Sequence, residues 1–332
     1  MTSGLAALTA LLWTWWSWNI PADLTTMFAL PFIVSAFEAG TIIAILSGVV
    51  SYLVVLRRSS FASHALGHVG FSGAAAAVLY ALNPFYGLLL FTMGSATGIS
   101  LLGKRAAHRD VEIGTVLAFM LGLGLLFISL YKGYSSETYS ILFGDIIAIS
   151  VQQVELTAIT GAVVLVVLAF FFRPLLFASL DEEVAEAKRM PTLFLGWLFL
   201  ATLAAAISVA VTVIGVLLIF ALTVTPAAIA VRVAQRPLYA VVVSVLVALF
   251  ATWAGIFIAF YEIEPTSFFI VTIIFVMYVG VRLAPVVGQL VRPHRSSATV
   301  GGSGSPPSVP SARRSAPPPE TPSAAPGDAG PG

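Results

Sequence analysis

From residue 31 to residue 281 the chain is a succession of apolar runs, each near the length that crosses a bilayer and each closed by a short polar break. A membrane-spanning helix needs about 20 predominantly apolar residues. The runs fall at Pro31–Leu56, Ser63–Leu82, Phe85–Gly103, Ile113–Tyr131, Leu156–Phe172, Leu193–Val211, Val213–Val231, Leu238–Phe260 and Thr266–Val281. Asn83-Pro84 and Glu264-Pro265 are tight breaks, because proline disfavours helical geometry in the residue before it. The weakest break is the one near Thr212, inside an almost uninterrupted apolar stretch. The predicted fold is all-α, a polytopic membrane protein with about eight or nine transmembrane helices. Three regions follow: an apolar, Trp-rich segment over 1–30, a transmembrane domain over 31–290, and a Pro/Gly/Ser-rich tail over 291–332.

Within the first region, Leu5–Trp18 is short for a span and holds four tryptophans. Trp favours the headgroup level, so the segment reads as an interfacial helix or as an extra span. No Lys or Arg precedes it, which argues against a signal peptide. The tail carries more than half of the chain's 19 prolines and almost no large aliphatic residue, a composition that reads as disordered.

Composition sharpens this picture. Charged residues are 9% and hydrophobic residues 59% of the chain, where soluble domains carry about 25% charged residues. A water-soluble enzyme is excluded. A formal net charge of +1 gives no footing for nucleic acid, and with no cysteine there is no thiolate site or disulfide. If the chain end after Leu56 is cytoplasmic and the spans alternate, Lys132 alone of the 16 Lys and Arg falls outside. Asp23, Glu137, Asp145, Glu262 and Glu264 also fall outside. That asymmetry fits the positive-inside rule and nine spans in parity, with the tail in the cytoplasm.

The few polar groups inside the spans are the candidates for function. His64 and His68 lie at i and i+4, on one helical face and one turn apart, so both imidazoles can reach a single ion. The plainer reading is two histidines at a helix end. Glu38 is the only carboxylate well inside a span, either a cation ligand or a protonated, hydrogen-bonded side chain. Gly67, Gly70, Ser72, Gly73 and Ala74–Ala77 suit close helix packing, as do Gly94, Gly98, Gly122 and Gly124. A zinc-protease reading fails, because Ala65 stands where a Glu would have to follow the first histidine. No glycine-lysine phosphate loop occurs, so the chain has no ATPase chemistry of that kind. Asp181, Glu182, Glu183, Ala185, Lys188 and Arg189 belong to the densest charge cluster. Its acids lead and its bases trail, which suits a short helix dipole. It reads either as a solvated loop helix or as a docking helix for a cytoplasmic partner.

Several ordered fragments resemble the membrane permeases of zinc and manganese ABC importers over about Phe32–Arg282. They are Leu56–Phe61 with Ala65–His68 and Gly73, Asp110–Gly114, Leu142–Ile146, Asp181–Met190, and Val213–Leu218 with Thr225–Ala228. The resemblance implies a homodimeric pore in a bacterial plasma or inner membrane. It also implies separate cytoplasmic ATP-binding cassette subunits and an extracellular or periplasmic metal-binding protein. The Asp181–Arg189 segment would be the ATPase-coupling helix, and no cofactor would be bound permanently. In that family an Asp usually occupies the position of His64 and a His that of His68, and proline is common at Ser72. His64 and Ser72 are therefore departures. Imidazole in place of carboxylate favours zinc over manganese as the transported ion, with iron behind. The rival from another class is a nucleotide-independent secondary metal transporter, with Glu38 and the histidines as a proton relay. A related importer for iron–siderophore or cobalamin, which needs a wider vestibule, is a third reading.

Overall fold

The structure, a computed structural model, describes residues 25, 27–102, 109–131, 144, 146–147, 149–261 and 265–291. The tryptophan-rich stretch and the tail from residue 292 lie outside the described residues, as do Lys132, Asp145, Glu262 and Glu264. Nine helices occur among the described residues: α1 (Pro31–Leu56), α2 (Ser60–Leu79), α3 (Pro84–Leu102), α4 (Arg109–Leu130), α5 (Val151–Leu180), α6 (Glu182–Ala187), α7 (Thr192–Val233), α8 (Pro237–Tyr261) and α9 (Thr266–Val291). No strand is among them.

Local sequence explains where the helices begin. Pro31, Pro84 and Pro237 open α1, α3 and α8, where the missing N–H costs nothing. Ser150 caps α5 in a reciprocal box with Gln153: the Gln153 N–H donates to Ser150 Oγ at 3.3 Å and the Ser150 N–H to Gln153 Oε1 at 3.0 Å.

Seven of the helices are long and apolar enough to cross a membrane: α1, α3, α4, α5, α7, α8 and α9. Two features reconcile this with the nine apolar runs. Helix α2 has the length, at 20 residues, but is rich in Gly, Ala, Ser and His. Helix α7 counts once although it has 42 residues. That is about 63 Å, twice a hydrocarbon core of roughly 30 Å. It is broken at Gly215, which has φ 79° and ψ 165°, a region open to glycine and hardly to any other residue. The break expected near Thr212 therefore lies at Gly215.

Contacts between helices show that the two arms of α7 run in opposite directions. The first arm is antiparallel to α3, through Thr92 Oγ1 to Ser208 Oγ at 2.7 Å and Trp197 Nε1 donating to Thr97 Oγ1 at 3.1 Å. The second arm is antiparallel to α2, through Ser63 and Thr223 and through Gly67, whose Cα lies beside Ile219 and Val216. Helices α2 and α3 are themselves antiparallel, locked where Gly73 and Gly87 meet backbone to backbone. Gly215 is thus a turn between two crossings.

Helices in lipid gain little from burying apolar surface against one another, so close approach and hydrogen bonds hold them together. Gly48 on α1 lies so near α8 that an added Cβ would stand 2.6 Å from Val245 Cα. Ser244 Oγ donates to the Gly48 carbonyl at 2.8 Å, and Trp253 Nε1 to Thr41 Oγ1 at 2.9 Å. Ser72 Oγ donates to the Met120 carbonyl at 2.6 Å and faces Gly124, joining α2 to α4. Pro226 interrupts the α7 ladder, and the Ala227 N–H after it donates across to Ser51 Oγ on α1 at 3.1 Å. Large apolar side chains such as Leu90, Phe119, Leu125 and Phe170 point outward, as a lipid-facing surface requires.

Candidate metal site

From Ala62 to Ala77 every residue of α2 is buried except His64 and His68, which are half-buried. The helix turns its one open stripe toward the second arm of α7, where Leu217 and Phe220 are exposed. The two imidazole rings stand 4.5 Å apart between centroids, at 79°. His64 also meets the Phe220 ring, at 5.1 Å and 74°. The sequence reading is silent on Phe220, an apolar residue in an apolar run, and only the α2–α7 register reveals it.

A buried seam sets that register. Thr223 Oγ1 donates to the Ile219 carbonyl at 2.9 Å, which leaves it to accept from Ser63 Oγ at 2.8 Å. Gly67 admits Ile219, because a Cβ there would stand 3.3 Å from its Cγ2. These contacts hold α2 and α7 so that His64 and Phe220 share a level.

The pair offers two nitrogen ligands from one chain. Structural zinc takes four ligands, so a single copy supplies half of a tetrahedral set. No group of three or more His, Cys, Asp or Glu able to share a metal ion occurs among the described residues. Glu38, expected as a third ligand, is not brought to the histidines. It is exposed on α1 and lines a groove of about 1230 Å³ between α1, α5 and α8, with Glu155 and Trp253. The outward face of α1 there is set by Gly40, whose other side packs against Thr252 and Ile256.

The charge cluster forms a helix of its own. Asp181 caps α6, its Oδ1 accepting from the Val184 N–H at 2.9 Å. Ala185 is fully buried against the bundle, Glu183 and Val184 face out, and the Glu186 carboxylate accepts from Thr192 Oγ1 at 3.2 Å. Lys188 lies over the Phe177 ring at 4.9 Å, and Arg189 takes φ 57° where the chain leaves the helix. The Glu182 side chain is outside the described set. Nearby, Arg57 stacks on Phe199 at 4.9 Å and donates to the Leu195 carbonyl at 3.3 Å. A polar cavity of about 600 Å³ opens at this end, lined by Arg57, Arg58, Asp110, Glu183 and Glu186 among others. Basic residues and α6 thus gather at one end of the bundle.

Of the small residues, Gly70 and Gly73 meet α3, and Gly124 meets Ser72. Gly94, Gly98 and Gly122 face open space. Packing accounts for the first group, and all of these glycines lie within helices.

A model of the ABC 3 transport family matches residues 29–284. The chain belongs to the ABC 3 transport family. The manganese import system permease protein ScaB of Streptococcus gordonii is 28% identical over 256 residues, covering 76% of this chain and 92% of ScaB. The manganese transport system membrane protein MntC of Listeria monocytogenes is 29% identical over 198 residues, 59% of this chain and 70% of MntC. Among solved structures, PsaBC from Streptococcus pneumoniae in complex with Fab superposes with a TM-score of 0.71 at 27% identity, over 79% of this chain and 95% of that one. A metal-chelate type ABC transporter in an inward-facing conformation shares the fold, at TM-score 0.61 and 16% identity over 78% of this chain and 85% of that one. The ABC 3 match contains His64, His68, Phe220, Gly215 and the whole of α6.

Proposed function

We propose that this ABC 3 family member is the membrane subunit of an ATP-driven importer for a divalent transition metal, with zinc as the preferred cargo. The observation that carries the reading is the histidine pair, half-open on a helix otherwise buried for 62–77, facing an exposed strip of α7. Two copies meeting at that strip would place four imidazoles around one ion, a donor set suited to zinc. The family relationship speaks for two such copies, for separate ATPase subunits and for an external binding protein. It speaks against a nucleotide-independent carrier.

The mechanism in this reading is alternating access driven by the partner ATPase. The basic end faces the cytoplasm by the positive-inside rule, which puts α6 against the ATPase and the tail on the same side. A loaded binding protein docks at the opposite end, where Asp145, Glu262 and Glu264 are expected. Metal then reaches His64 and His68, and nucleotide binding and hydrolysis act through α6 to change which side is open. The site uses the histidines and leaves Glu38 aside, in its groove with Glu155.

Manganese is the second reading, favoured by the names of the relatives ScaB and MntC. Uptake into proteoliposomes holding the permease, its ATPase and its binding protein decides both points. The expected result is ATP-dependent zinc uptake that manganese competes with weakly and that is lost when His64 and His68 are both changed to Ala. Wild-type uptake by that double variant refutes the site. Stronger competition by manganese than by unlabelled zinc refutes the ion.

A further inference from the structure

We propose that Phe220 is the positioning residue of the histidine pair: its ring fixes the plane of His64, and through His64 that of His68, and so sets the preference for zinc. This rests on the reading that the pair carries the transported metal.

A histidine that binds metal normally has its other ring nitrogen tied to a carboxylate, a carbonyl or water, which fixes the ring. Neither imidazole here hydrogen-bonds to a described residue. The torsion that turns an imidazole about its bond to Cβ is broad, so an untied, half-exposed ring would scatter. What restrains His64 is contact with two rings, Phe220 at 5.1 Å and 74° and His68 at 4.5 Å and 79°. Both contacts have the edge-to-face geometry that aromatic pairs prefer.

Phe220 can serve as the fixed end because its own backbone is held. Leu218 and Ile219 beside it are buried, and Thr223 is tied to Ser63 less than a turn farther on. The same lock fixes α2 just before His64, so the ring contact is set by the helix register. Phenylalanine has no atom that ligates a hard cation, so it acts only through the imidazoles. An apolar ring at the edge of the site also leaves less room for retained water. Zinc on nitrogen ligands tolerates that, whereas manganese favours carboxylate, carbonyl and water oxygens.

The test uses the full-length permease in nanodiscs, loaded with Co2+ as a spectroscopic stand-in for zinc and then titrated with zinc and manganese. Phe220→Leu and Phe220→Met keep the apolar volume and remove the ring. Both are expected to weaken zinc binding about two- to twelvefold, the worth of one aromatic pair. The zinc-to-manganese ratio falls by the same factor, and the visible bands of tetrahedral Co2+ lose intensity. Phe220→Tyr restores all three. Wild-type spectra and affinity in the Leu and Met variants, alongside lost binding in a variant with His64 and His68 both changed to Ala, overturn the role of Phe220 and leave the site standing. Retained binding in that histidine variant overturns the site and Phe220 with it.

Discussion

Gly144 lies backbone to backbone on Gly215: a Cβ on Gly144 would overlap the carbonyl of Ile214 and stand 2.5 Å from the Gly215 nitrogen. Both glycines have positive φ, 72° and 79°. The Ile214 carbonyl, released from the helix at this turn, accepts from Ser267 Oγ of α9 at 3.4 Å. The loop before α5, the turn of α7 and the first turn of α9 therefore meet at one point. Gly144→Ala forces a shift of backbone, and Gly215→Ala places a Cβ where it costs about 1–3 kcal/mol. Each substitution is expected to lower the thermal midpoint of the purified permease by several degrees. The double variant should fall by less than the sum, because both changes break one contact. Additive losses in the melting curves would show that the glycines act independently.

That contact joins two fragments that the sequence offers only as separate resemblances, 142–146 and 213–218. The all-α character, the break at Asn83-Pro84 and the close-packed face of Gly67–Ala77 are legible along the chain because each depends on residues near in sequence. The turn at Gly215 is only half legible. Apolar composition runs straight through it, and what marks it is a single glycine whose φ no pattern reveals. His64 and His68 are legible by spacing within one helix. Phe220 is not, since its meaning comes from a register between α2 and α7, more than 150 positions away. Glu38 stands out in the sequence for its rarity in an apolar run. The face it occupies is decided by Gly40 and Gly48, which commit the opposite side of α1 to α8.

Small residues divide by what stands opposite them. Gly87 meets the Gly73 backbone, whereas Gly94, about two turns farther along α3, faces open space. Gly87→Ala should drive α2 and α3 apart and lower the thermal midpoint. Gly94→Ala removes a helix-interior glycine at no steric cost and should leave the midpoint unchanged or raise it, since helix propensity adds up to about 1 kcal/mol of stability. A melting series on the two variants checks the contrast.

Helix α6 presents one face to the bundle and one to solvent. Ala185 is buried, and Val184 is 42% exposed. Val184→Glu should therefore leave the permease folded and its zinc binding intact while cutting uptake and stimulated ATPase activity about tenfold, the loss of one good interface contact. Asp181→Ala removes the cap, worth about 1 kcal/mol, and should weaken coupling in the same assay. Loss of zinc binding in Val184→Glu would mean that α6 supports the site itself.

The identity of residue 64 sets the metal if the histidine pair is the site. His64→Asp restores the carboxylate usual in the resembling permeases and replaces a borderline nitrogen ligand by a hard oxygen. It also removes the imidazole that touches both Phe220 and His68, so both ring contacts are lost. Both effects act in one direction: zinc loses a preferred ligand, and manganese gains one together with room for water. The variant should take up manganese at the expense of zinc, shifting the competition ratio about tenfold, near 1.4 kcal/mol. Glu38→Gln should leave the ratio as it is, because its side chain faces the α1–α5–α8 groove. Reconstituted uptake with both ions present reads the two variants side by side. A zinc preference that survives His64→Asp, or one that moves with Glu38→Gln, would transfer the choice of metal away from residue 64.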